Sequence, residues 1–193
     1  MIRPLALLLA AFAILAQPAR ADDYPTRPVR LIVGFAAGSS GDVIARIVAH
    51  KLSELLNQNV IVEDKPGASS MVATDYVARS ANDGYTLMFA TIATTINMTL
   101  FPDKARNVVK DMTPVALVGS IPNILVVNPQ LGVGDVKGLI ALAKQKPDEL
   151  LYGASGLGSG PHVATELFKQ MAGVKMTGVL YPGSGQTAVD LIA

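Results

Sequence analysis

The chain has no cysteine and no tryptophan among its 193 residues, and only two histidines, His50 and His162. Without thiols it can build neither a disulfide framework nor a thiolate metal site, and two histidines so far apart do not make a zinc motif. Charge is also sparse and balanced, 16 basic residues against 15 acidic ones. That balance argues against nucleic acid as a partner, which rewards a basic face. The only long apolar run, Pro4 to Ala16, is about 13 residues, short of the roughly 20 that span a bilayer.

What is present at that end reads as a secretory signal over residues 1–21. Arg3 supplies the positive start, the apolar run follows, and Ala19-Arg20-Ala21 fits the small-x-small cleavage pattern. Cleavage before Asp22 removes two arginines and leaves 14 basic and 15 acidic residues, net −1. The expected product is an exported soluble protein, long enough for one domain, or for one domain and part of another.

The remainder is organised around Val29 to Arg46. Val29-Arg30-Leu31-Ile32-Val33 is a β-branched run bounded by Pro28 and Gly34, which fits a strand buried on both faces. From Val43 the apolar residues Val43, Ile44, Ile47, Val48 and Leu52 fall at helical spacing. Between them lies a loop of small residues, Gly34 to Gly41, with Asp42 expected as the helix cap. Small residues let a ligand approach the backbone, and N–H groups at a helix start favour an anion. The alternative is a tight strand-to-helix turn with no ligand. The loop lacks G-x-x-x-x-G-K-[ST] and G-x-G-x-x-G, so neither nucleotide motif applies.

Further along, Asn59 to Glu63 is expected as a second strand, Ala68 to Ser80 as a helix packing Met71, Val72, Tyr76 and Val77, and Tyr85 to Thr91 as a third strand. This β-α-β-α-β order predicts a parallel sheet. Thr91 to Asn97 is polar where the third strand ends, and in an open parallel sheet that end faces the ligand crevice, with Thr94 as a candidate contact; a threonine-rich helix start is the other reading. Asp103 to Asp111 is a surface connection, and the apolar runs Thr113 to Gly119 and Asn123 to Asn128 suit a crossing between two lobes. Asp135 to Lys146 has helical spacing. The opening arrangement then repeats, with Leu150 to Ala154 as strand, Ser155 to Pro161 as small-residue loop and His162 to Met171 as helix. Lys175 to Leu180 is a further strand, Tyr181 to Gly185 a loop, and a last helix starts near Gln186 and reaches Ala193 without a cap.

In this order the chain resembles the substrate-binding proteins of tripartite tricarboxylate transporters, the Bug family. The resemblance is carried by Tyr24-Pro25-Thr26-Arg27-Pro28, Phe35-Ala36-Ala37-Gly38 with Asp42, Glu63-Asp64-Lys65-Pro66-Gly67-Ala68, Asp83-Gly84-Tyr85-Thr86-Leu87, Val126-Val127-Asn128-Pro129, Ala154-Ser155-Gly156 with Gly158-Ser159 and His162, and Tyr181 with Gly183-Ser184. It implies an α/β fold of the periplasmic-binding-protein type, two lobes of parallel sheet flanked by helices, lobe one over 22–122 and lobe two over 123–193. It also implies a periplasmic monomer that captures a small organic acid, a di- or tricarboxylate or relative, for the membrane components of such a transporter, with no cofactor. By position the implied contacts are Phe35, Ala36, Ala37, Gly38, Ser39, Ser40 and Asp42 from lobe one. Those from lobe two are Ser155, Gly158, Ser159, His162, Tyr181 and Gly183. The chain departs from the family's habit at Leu157, Pro161 and Pro182, the last standing where a lysine is frequent. It is also shorter than family members, so the second lobe is expected to be incomplete.

Two other readings stay in view. A serine hydrolase would use Ser39, Ser40, Ser155 or Ser184 with His50 or His162 as base, but none of these serines sits in G-x-S-x-G. A truncated product that is exported and binds nothing is the second, suggested by the uncapped end and by Pro182.

Overall fold

The structure is a computed structural model describing residues 24–193. The expected signal segment, 1–21, lies outside the described residues.

Two parallel sheets, each carrying helices, make the fold. In the first, β1 (Val29–Val33) lies between β2 (Val60–Asp64) and β3 (Thr86–Phe89). Central placement explains the apolar run, because Val29, Ile32 and Val33 are fully buried while neighbours on both sides take up the strand's backbone groups. α1 (Ser40–Leu56) covers this sheet through Ala45 and Ala49, one turn apart, which pack with Leu31 and Val33. Alanine there lets helix and sheet approach closely. The larger Val43 and Ile47 on the same helix are exposed, so the apolar spacing places the helix and misplaces its buried face.

The expected helix over 68–80 divides in two. Ala68–Ser70 is a tight 3-10 turn, and only Met71–Ala78 is α-helix, α2. The cause is local: Ala68, Ser69 and Ser70 all have positive φ, which an α-helix cannot contain. α2 buries Ala73 and Thr74, and Val72, expected in the core, is exposed. After β3 comes α3 (Ile92–Leu100), followed by the short α4 (Val108–Asp111) on the surface. Residues 113–128 carry no regular structure, and their apolar side chains face outward, with Leu117 90% and Val115 82% exposed.

The second sheet pairs β4 (Leu151–Ala154) with β5 (Thr177–Leu180). α5 (Val136–Gln145), capped by Asp135 as expected, and α6 (Gly160–Ala172) pack against it through Ala143, Ile140 and Phe168, with Val174 and Met176 beneath. α7 (Ser184–Ile192) lies along β4. Asn128 Nδ2 ties its far end to the extended segment by donating to the Leu191 carbonyl at 2.8 Å. Among the described residues no helix is long and apolar enough to cross a membrane.

Arg30 of β1 clamps Glu63 of β2 with a two-pronged ion pair, Nε to Oε1 at 2.5 Å and Nη2 to Oε2 at 2.6 Å. The guanidinium beside it holds the Glu63 carboxyl below its ordinary value of 4.5. A lowered folded value means the contribution is complete above the ordinary range and is lost as pH falls through the folded one. Glu63→Gln is therefore expected to be less stable than the parent near about pH 7, with the gap closing in acid. Urea melts across that range check it, and a gap of constant size would refute the assignment.

Candidate functional site

The loop after β1 is shaped by close contact with the strained turn. A Cβ at Gly34 would lie 1.8 Å from Ser70 Oγ and 2.9 Å from Ser70 Cα, so only glycine lets the two segments touch. At the loop's end Ser39, rather than the expected Asp42, caps α1: its Oγ accepts from the Asp42 N–H at 3.3 Å. Asp42 sits in the helix's first turn and turns back. Its Oδ2 accepts from the Gly38 N–H at 2.8 Å, and its Oδ1 lies 2.7 Å from Arg46 Nε. Arg46 also reaches Asp64 Oδ2 at 2.9 Å. Burial, and then the neighbouring Asp42 charge, push the Asp64 carboxyl up. Asp42 thus braces the loop from behind and is 3% exposed, while Ala37, Gly38 and Ser40 are exposed residues.

The loop after β3 opens directly into α3. Thr91 is the N-cap of α3, and Thr94 in the first turn reaches back to it, its Oγ1 accepting from the Thr91 N–H at 3.3 Å, so Thr94 is buried within its own helix turn. Asn97, in the second turn, was not singled out from sequence; it is 2% exposed and donates through Nδ2 to the Ser69 carbonyl at 2.6 Å.

The second sheet repeats the first loop's construction. Ser159 caps α6, accepting from the His162 N–H at 3.4 Å, and His162 Nδ1 accepts from the Gly158 N–H at 3.3 Å. His162 therefore performs for this loop what Asp42 performs for the other. His50, the other base considered for a hydrolase, stands exposed on α1 beside Glu54. Tyr181 anchors its strand end, its N–H donating to the Ala154 carbonyl at 2.8 Å. A hydrogen bond with Asp190 pushes its phenol up.

These loops meet. The Ser40 N–H donates to Ser184 Oγ at 3.3 Å, and a Cβ at Gly183 would lie 3.6 Å from Ser39 Cβ and 4.0 Å from Ala36. Phe35 reaches Gly156, whose Cβ would stand 4.0 Å from its ring. Gly158, however, faces Asn97, Ile96 and Leu100 of α3, so Ser155 to Gly160 sits across from α3 more than from the first loop. Two concavities lie away from these contacts. One, of about 350 Å³, lies between α5 and α6 and is lined by Ile140, Leu167 and Met171; another, of about 340 Å³, is lined by Met71, Lys104 and Arg106.

Comparison with known proteins follows the same lines. Residues 44–193 match the model of the family described as tripartite tricarboxylate transporter family receptor, TctC. Protein BugT of Bordetella pertussis is 39% identical over 187 residues, which cover 96% of this chain and 57% of that protein. Among solved structures, R. palustris Rpa4515 with adipate superposes with a TM-score of 0.84 at 40% identity, covering 87% of this chain and 56% of that one. MatC from Rhodopseudomonas palustris with bound malate gives 0.80 at 30% identity, covering 87% and 57%. The chain spans somewhat more than half the length of these relatives.

Gly34→Ala is expected to destabilise the protein by about 1–3 kcal/mol, since the new methyl meets backbone and must push the strained turn away. Chemical denaturation measures it, and an unchanged midpoint would show that the contact with Ser70 is loose.

Proposed function

This chain belongs to the family of tripartite tricarboxylate transporter receptors, and we propose that it captures a small organic acid between its two α/β units. The two units are the lobes 22–122 and 123–193, working as a periplasmic monomer that hands its cargo to the membrane components of a tripartite tricarboxylate transporter. Adipate and malate, named with two of its solved relatives, support a dicarboxylate as the ligand class.

One observation carries this reading: the starts of α1 and α7 face each other through the Ser40 N–H and Ser184 Oγ. A 3.3 Å contact to a neutral hydroxyl is a long hydrogen bond. A carboxylate oxygen is the stronger acceptor, and the dipole of α1 favours its charge. It would displace the hydroxyl and take the Ser40 N–H.

The candidate residues then divide by task. Phe35, Ala36, Ala37, Gly38, Ser39 and Ser40 shape and present the anion site, with Ser155, Gly158, Ser159, Tyr181 and Gly183 opposite. Asp42, Thr94 and His162 brace their loops, consistent with the hydrogen bonds each makes. A site of this kind binds by oriented peptide dipoles, with no activated nucleophile, in keeping with a family of solute receptors.

A thermal melt with adipate or malate at about 100 times its dissociation constant is expected to raise stability by roughly 2.7 kcal/mol. A transition that no di- or tricarboxylate moves would sink the reading.

A further inference from the structure

Ala68, Ser69 and Ser70 run through the left-handed region with φ of 44°, 55° and 74°. None is glycine, and three in succession persist only where surrounding contacts over-determine them. Several of those contacts are specific. Ser70 is wedged beside Gly34, and its carbonyl accepts from Thr74 Oγ1 at 2.9 Å. The Ser69 carbonyl accepts from Asn97 Nδ2 at 2.6 Å. A further contact crosses to the second unit: Ser69 Oγ donates to the Leu157 carbonyl at 2.6 Å. Asn97 faces the same way, its buried Oδ1 without a hydrogen-bond partner and 3.4 Å from where a Cβ of Gly158 would stand.

We propose that Ser69 is a positioning residue for closure, latching the Ser155–Gly160 loop onto the first unit, with Asn97 holding the strained turn so that the hydroxyl points across. The latch stands on the opposite pair of loops from the Ser40–Ser184 contact, so the two fix the second unit at separate points. Its effect on ligand affinity rests on the dicarboxylate reading above; its effect on closure does not.

Two variants separate latch from fold. Ser69→Ala and Ser69→Gly both delete the hydroxyl, but glycine adopts φ of 55° freely and alanine does not, so Ser69→Gly should melt higher than Ser69→Ala. The chain contains no cysteine, so Lys51→Cys on α1 and Lys144→Cys on α5, both exposed, give one spin-label pair across the units. The expected result is a narrow distance distribution in the labelled parent and a broader, longer one in both variants alike, despite their different melting points. With adipate and malate as probes, both variants should bind about fivefold more weakly than the parent, the effect of one hydrogen bond. Distances that match the parent in both variants, or that differ between the variants in step with stability, overturn the latch. If neither acid binds the parent, the ligand reading fails while the distance measurement still decides the latch.

Discussion

The parallel pairing of β1 on both of its edges is the constraint from which the rest follows. A strand whose Val29, Ile32 and Val33 are fully buried must have each backbone group matched by a neighbour, which fixes β2 and β3 beside it in register. Because the three strands run the same way, the chain leaves each at the same edge, and the segments that follow β1, β2 and β3 are brought side by side there. The Gly34–Ser39 loop, the 68–70 turn and the start of α3 are therefore neighbours by topology. Gly34 against Ser70 and Asn97 against Ser69 are what that neighbourhood looks like at atomic range.

The second sheet applies the same rule with fewer strands, and its loops reproduce the first loop's chemistry with other side chains. A serine caps the helix in both, Ser39 and Ser159. A side chain three residues on reaches back to the N–H of a left-handed glycine, Asp42 to Gly38 and His162 to Gly158. An acid does this in one loop and an imidazole in the other, so the geometry of the turn, more than the charge of the brace, is what the two share. The units differ in enclosure. Leu151 and Leu180 of the small sheet and Leu117 and Ile124 of the extended segment remain exposed.

Sequence legibility followed the range of the interaction. Strand β1, the Asp135 cap and the repeat of strand, small loop and helix were all visible, because hydrophobic period and cap chemistry are local signals. The family could be recognised for the same reason: its short motifs are mostly turns and caps. The buried face of α1 was not legible, since Ala45 and Ala49 win it through close approach to the sheet rather than through hydrophobicity. Nor was the 68–70 turn, whose Ala-Ser-Ser reads as helix; its left-handed backbone is imposed by Gly34, Asn97 and Leu157, each distant in sequence. The roles of Asp42 and Thr94 fell between these cases. Both stand in the first turn of a helix, where a polar side chain turns outward to a ligand or inward to its own backbone according to where the nearest unpaired N–H lies.

On the proposed function, the contact between the Ser40 N–H and Ser184 Oγ would make capture an exchange rather than an addition. An arriving group does not find a vacant donor; it must outcompete an oxygen already there, and the number of hydrogen bonds to that donor is the same before and after. What remains to drive the exchange is the difference in basicity and charge between a hydroxyl and the incomer. Alcohols and protonated acids offer almost no such difference. The built-in serine would then set a threshold that ionised acids cross and neutral solutes of the same shape do not, a discrimination by charge that needs no basic side chain at the contact.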